Sequence, residues 1–232
     1  MDWNADGRHD LLVGDAEGKV QIYLNTNTNT DPVLSRGRYI RTGESELDVG
    51  ERAAPDVDDW NNDGKKDLLV GNMEGTIRIY INKGTDSEPL FDSFYLLQSG
   101  RRDFDIGSRS APRTVDWNRD GLKDILVGEA EGYVYYLKNV GNNSAPVFER
   151  AEKLFLYNGD VLRYPVQYAR SRLFVTDWDN DGHADMVLGG SDGKIVLFRS
   201  EQNTWFSPGF FLNRTWHELN EGIRKLVKIL QN

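Results

Sequence analysis

The sequence predicts an all-β fold, a β-propeller built from four-stranded antiparallel blades. Three observations predict it. An Asp-rich motif recurs four times along the chain, each recurrence leads into an apolar run of period two, and the composition suits many short strands joined by tight turns. Among 232 residues there are 23 glycines and 11% aromatics, with 38% apolar residues overall. That aromatic content is too high for a disordered chain, and the glycine content fits a turn-rich β protein better than a helical bundle.

The repeat opens as Asp2-Trp3-Asn4-Ala5-Asp6-Gly7-Arg8-His9-Asp10, followed by Leu11-Leu12-Val13-Gly14. It returns at Asp59-Trp60-Asn61-Asn62-Asp63-Gly64-Lys65-Lys66-Asp67, at Asp116-Trp117-Asn118-Arg119-Asp120-Gly121-Leu122-Lys123-Asp124 and at Asp177-Trp178-Asp179-Asn180-Asp181-Gly182-His183-Ala184-Asp185. Four copies cover the chain, so one repeat array is expected over residues 1–232, in units of approximately 1–43, 44–100, 101–159 and 160–222. A second glycine follows each apolar run, at Gly18, Gly75, Gly132 and Gly193. This glycine reads as a hairpin tip. Alternating residues such as Val20, Ile22 and Leu24, or Ile77, Ile79 and Ile81, then mark the next strand. Polar, Asn-rich turns lead to Pro32-Val33-Leu34, Pro89-Leu90-Phe91 and Pro146-Val147-Phe148, each opening an outer strand. Arg52-Ala53-Ala54-Pro55 and Arg109-Ser110-Ala111-Pro112 lie before the second and third Asp motifs and begin inner strands. About four strands per unit make a propeller blade, and stacking blades buries their apolar faces between neighbours. The tryptophans at 3, 60, 117 and 178 are expected in that filling.

The spacing Asp-x-Asn/Asp-x-Asp-Gly-x-x-Asp describes a loop curled around a hard cation. Oxygen side chains at alternate positions point to one side, the glycine allows a sharp turn, and the last Asp closes the sphere. The side-chain ligands expected are Asp2, Asn4, Asp6 and Asp10; Asp59, Asn61, Asp63 and Asp67; Asp116, Asn118, Asp120 and Asp124; and Asp177, Asp179, Asp181 and Asp185. Arg8, Lys65, Leu122 and His183 are each expected to offer a backbone carbonyl. Oxygen donors without Cys or His favour Ca²⁺, up to four ions, one per repeat. An Asp-Gly pair alone makes a good turn. A turn, however, does not need three carboxylates on one side, which at about 4 Å repel by roughly 1 kcal/mol even in water. The EF-hand opens similarly but needs a Glu at position 12, where this chain has Val13, Val70, Val127 and Leu188.

The net charge of −9 is explained by the same loops, which hold thirteen of the 37 carboxylates; without them the balance would be +4. Acidity therefore says little about partners, although no nucleic-acid binding is expected of such a chain. No 18-residue apolar run exists, so no membrane insertion is expected. There is no cysteine for a disulfide or thiolate site. Met1 is followed at once by Asp2-Trp3-Asn4, which does not read as a signal peptide.

With these residues in place, the repeat resembles the FG-GAP/VCBS repeat of propellers like those of integrin α-subunits. Gly50 with Ala54-Pro55, and Ile106-Gly107 with Ala111-Pro112, match the other half of that signature. The third linker departs from it, with Leu173-Phe174 in place of Ala-Pro. The resemblance implies calcium in the hairpin between the first two strands of each blade, on one face of the disc. It also implies an extracellular or cell-surface setting.

Ring size stays open. The chain begins inside the first Asp loop, so blade one lacks an inner strand. Residues 223–232 either supply it and close a four-bladed ring, or form a terminal amphipathic helix through Trp216, Leu219, Ile223, Leu226, Val227 and Leu230. Four blades of a larger ring, within a longer chain, is the third reading. No catalytic motif is present, and the three histidines form no constellation with an assignable base. The expected function is recognition of a protein or glycan ligand, with structural calcium. A carbohydrate-active propeller such as a polysaccharide lyase, and an architectural repeat, are the alternatives. The segment from Tyr157 to Phe174 breaks the repeat most, and its Arg and aromatic residues suit ligand contacts.

Overall fold

The computed structural model describes residues 1–156, 159–164, 170–200 and 212–214, and among them there is no helix. The closing segment 223–232 lies outside the described residues, as does the stretch 165–169 of the divergent linker.

Blade one contains β1 (Leu11–Gly14), β2 (Val20–Tyr23) and β3 (Arg38–Tyr39), and is followed by a small hairpin of β4 (Arg41–Thr42) and β5 (Ser45–Glu46). Blade two contains β6 (Ala54–Asp58), β7 (Asp67–Gly71), β8 (Ile77–Tyr80) and β9 (Tyr95–Leu96), followed by the hairpin β10 (Gln98–Ser99) and β11 (Arg102–Asp103). Blade three contains β12 (Ala111–Val115), β13 (Asp124–Gly128), β14 (Val134–Leu137) and β15 (Glu152–Lys153). Blade four contains β16 (Arg172–Thr176), β17 (Asp185–Gly189), β18 (Ile195–Ser200) and β19 (Leu212–Arg214). Every pairing within a blade is antiparallel and joins strands consecutive in the chain. The register repeats as well: Asp58 pairs with Asp67, Val115 with Asp124 and Thr176 with Asp185. The same turn chemistry thus fixes the same pairing each time.

Among the described residues, blades two, three and four have four strands and blade one has three. Inner strands pack side by side in chain order, β6 on β12 and β12 on β16.

The core lies between blades. Period-two alternation sends successive residues of each second strand to opposite faces. Leu68 and Val70 of β7 face blade one, and Leu69 faces blade three. Likewise Ile125 and Val127 of β13 face blade two, while Leu126 faces blade four. All six are fully buried. Trp3, Trp60 and Trp117 are buried in the three interfaces, in keeping with the sequence. Trp178 departs from the pattern. It is 42% exposed because it lies on the forward face of blade four, which no described blade covers. Phe174 and Ile195 share that exposure, and Leu11 and Val13 on the opposite face of blade one mirror it.

Candidate metal centre

Each Asp motif forms the connection between the first and second strand positions of its blade, and the four loops share one backbone shape. The sixth-position glycines Gly7, Gly64, Gly121 and Gly182 have φ between 82° and 86°. A residue two places earlier also has positive φ in each loop: Ala5, Asn62, Arg119 and Asn180. Asn tolerates this conformation, whereas Ala and Arg adopt it at a cost, so the rest of the loop must impose it.

The first Asp of each motif does the imposing. Its two carboxylate oxygens accept backbone N–H groups from the far side of the turn. Asp59 accepts from Asp63 at 2.9 Å and from Gly64 at 2.9 Å. Asp2, Asp116 and Asp177 accept from the equivalent amides at 2.8–3.1 Å. The middle Asp accepts the amide two residues on: Arg8 to Asp6, Lys65 to Asp63, Leu122 to Asp120 and His183 to Asp181. In the first three loops the Asn amide nitrogen donates to that same Asp, at 2.8–3.1 Å. The fourth loop has Asp179 there, and its carboxylate lies 3.4 Å from Arg199 instead.

The last Asp plays a part that spacing did not reveal. Asp10, Asp67, Asp124 and Asp185 are buried. One oxygen accepts the amide of the loop Trp, and the other accepts an amide fifteen residues ahead, at the end of the third strand. For Asp67 these donors are Trp60 at 2.9 Å and Asn82 at 2.7 Å. Asp10 and Asp185 repeat the pattern with Trp3 and Asn25, and with Trp178 and Ser200. Asp124 binds Trp117 and Asn139, and adds the Tyr136 hydroxyl at 2.9 Å. Burial pushes Asp67 up to about 6, with the neighbouring Asp63 adding to the rise, and burial also raises Asp124. Each last Asp therefore pins the loop to its own blade, a structural role beside any ligation.

Asn25, Asn82 and Asn139, also buried, were missed by sequence reasoning. Their side-chain oxygens accept two amides of the following turn, for example Gly84 at 2.9 Å and Leu90 at 3.0 Å on Asn82. Their constant offset of fifteen residues from the last Asp was the available signal.

Neighbouring loops also touch. Lys123 of loop three forms an ion pair with Asp58 at 3.2 Å and donates to the Asp59 carbonyl, and Arg119 donates to the Gly182 carbonyl of loop four. The loops thus sit together at one end of the blades. Among the described residues, Asp177, Asp179 and Asp185 bring carboxylate oxygens within 4.8 Å of one another. An all-oxygen donor set of this kind, held by the loop's own amides, fits a hard divalent cation. Asp181 stands outside that trio, engaged with the His183 amide. His9 is exposed and His183 half-buried, and neither faces an assigned base.

These features define a row of β-propeller-like blades, each carrying an Asp-rich loop at the same end. Residues 59–127 match the family model described as an FG-GAP-like repeat. The chain is 30% identical over 156 residues to integrin alpha-3 of Cricetulus griseus, covering 61% of this chain and 14% of that protein. It is 26% identical over 160 residues to integrin alpha-4 of Xenopus laevis, covering 60% and 14%. The chain thus spans about a seventh of the length of these curated relatives. A crystal structure of BBS1N in complex with ARL6DN aligns with 93% of this chain and 54% of that chain, at 15% identity and a TM-score of 0.41. The stretch 59–127 is thus FG-GAP-like, and the chain is similar to integrin α-subunits over about three fifths of its length.

Proposed function

We propose that the chain is a non-catalytic recognition module of a cell-surface or extracellular protein, held in shape by calcium. The observation that carries the reading is the fourfold Asp loop, alike in backbone and in the amides that its first Asp accepts, in a chain similar to integrin α-subunits. Up to four Ca²⁺ ions would be held, one per loop. The ligands would be the side chains of Asp2, Asn4, Asp6 and Asp10 and their equivalents, with the carbonyls of Arg8, Lys65, Leu122 and His183 completing each sphere. The ion would neutralise carboxylates crowded in one turn and tie the loop to the strands on either side. Loop four carries one more carboxylate than the others and would bind most tightly.

The ligand would be a protein or a glycan. A groove between blades two and three supports this, lined by Phe94, Tyr95, Leu96, Pro146 and Val147. Phe94 and Tyr95 are half exposed there, as residues that stack on a partner would be. The uncovered forward face of blade four and backward face of blade one are of the two kinds that pair elsewhere in the row. We read them as meeting in a four-bladed ring.

Isothermal titration with CaCl₂ after chelation tests the metal reading, with up to four sites expected. Absence of any calcium binding would refute it. A glycan array and a surface-protein library, each probed with calcium present, test the ligand reading. Loss of the captured ligand on Tyr95→Ser would place it in the groove.

A further inference from the structure

At the end of the blades opposite the Asp loops, three arginines occupy one position in successive repeats. Arg52, Arg109 and Arg170 each stand two residues before the first residue of an inner strand, and their spacing follows that of the repeats. All three have positive φ, between 51° and 55°, a conformation that arginine adopts only when its surroundings require it. The requirement is visible in the backbone. The amides of Arg52, Arg109 and Arg170 donate to the carbonyls of Ala16, Met73 and Ala130, each in the hairpin of the preceding blade. The three Cα atoms are thereby locked at equivalent points beside adjoining inner strands. Arg172 is the first residue of β16, two beyond Arg170, and Arg113 is the third residue of β12.

The guanidinium groups are unevenly satisfied. Arg113 is spoken for: it donates to the Pro55 carbonyl at 3.0 Å and lies 3.5 Å from Asp56. Arg109 donates through Nε to the Met73 sulfur at 3.2 Å. Among the described residues, Arg52, Arg109, Arg170 and Arg172 form no ion pair, whereas Arg8, Arg113 and Arg199 do. Arg170 is solvent-exposed, and Arg52 and Arg109 are half-buried. These cations feel one another. Arg172 is pushed down by desolvation and then by Arg113, Arg109, Arg52 and Arg170; Arg109 is pushed down by desolvation and then by Arg170 and Arg52. Among the described residues only Arg113 of this group has a carboxylate partner, Asp56, and the remaining like charges are unfavourable unless something neutralises them.

We propose that Arg52, Arg109, Arg170 and Arg172 form an anion-binding site at this end of the inner strands, for a tetrahedral oxyanion such as sulfate or a phosphate group. Arginine is suited to the task, since its planar fork donates two parallel N–H bonds to such an ion. Four donors, three from successive linkers and one from the start of β16, give a site that no single blade contains. The site therefore depends on how blades two, three and four are assembled.

The test uses the full chain with calcium present, so that the Asp loops are unaffected. Inorganic sulfate and glucose 6-phosphate are titrated calorimetrically, and melting is followed in sodium sulfate against sodium chloride at matched ionic strength. Saturable binding and a higher melting temperature in sulfate than in chloride are expected. Arg109→Gln and Arg172→Gln should each weaken binding at least tenfold, Arg172→Lys by less, and Arg150→Gln, at an exposed arginine elsewhere, not at all. Tighter binding of the ester assigns the anion to a larger ligand and tighter binding of sulfate assigns it to a free ion; both uphold the site. Equal melting in the two salts, or equal binding by Arg172→Gln and Arg150→Gln, would overturn it. Asp181→Ala, which alters calcium loop four, should leave anion binding unchanged. A failure of the calcium reading is thereby kept apart from a failure of this one.

Discussion

Replacing Asp67 separates the structural work of the last Asp from any part it plays in holding an ion. The carboxylate is fully buried and accepts the Trp60 and Asn82 amides. Asp67→Ala leaves both buried N–H groups without an acceptor, at about 1–3 kcal/mol each. The burial that raises Asp67 to about 6 shows that its charge already costs something in the fold, so part of this loss is returned. A destabilisation of about 2–4 kcal/mol follows. Asp63 provides the control. It is exposed, and its bonds to the Lys65 amide and the Asn61 side chain lie at the surface. Asp63→Ala should cost less than about 1 kcal/mol when no ion is bound. Urea unfolding followed by tryptophan fluorescence, in excess chelator, measures both. With metal removed, equal midpoints for the two variants would refute the claim that the last Asp pins the loop.

Chelation should lower the melting temperature of the wild type, because ions bound only by the folded state stabilise it by mass action; scanning calorimetry with and without EDTA reads the shift. Asp181→Ala should lower the calcium stoichiometry by one while circular dichroism stays unchanged, and loss of every ion together would show the loops to be interdependent. Trp117→Ala should cost about 3–5 kcal/mol as a buried truncation, and Trp178→Ala, on the face proposed to meet blade one, about as much; a cost of about 1 kcal/mol or less at Trp178 would refute ring closure. Equal losses in denaturant would show that the forward face of blade four is covered in solution. Gly71→Ala should destabilise by about 1–3 kcal/mol, since a Cβ there would strike the Ser110 carbonyl and lie 2.8 Å from Pro112 Cδ. At Gly189 the nearest atom to such a Cβ is the Arg172 carbonyl oxygen at 3.8 Å, so Gly189→Ala should leave the midpoint nearly unmoved.

The blades were legible because the chain states them four times. Alternation in Leu68-Leu69-Val70 gives a strand buried on both faces, and the Asp-Gly loop before it gives a turn with oxygen donors. What spacing could not show was who receives each hydrogen bond. Asp67 and Asp63 look alike in the motif, yet one anchors two strands and the other lies in solvent. The structural use of Asn82 was hidden because an Asn in a polar turn is unremarkable until its partner fifteen residues back is known. The arginines were hidden for a related reason. Arg52, Arg109 and Arg170 lie far apart in sequence, and only the stacking of inner strands brings them to one end. Trp178 obeys the motif and escapes burial, because its environment depends on a neighbouring blade that its own repeat does not encode.

Each inner strand of blades two to four runs from an arginine to an aspartate: Arg52 to Asp59, Arg109 to Asp116 and Arg170 to Asp177. At about 3.3 Å per residue this sets the two kinds of charge roughly 23 Å apart. Since the strands lie side by side, their polarities add rather than cancel, giving the array an electric axis. Facing a charged surface, such a body would present a preferred end, and filling the aspartate loops with cations would weaken that preference.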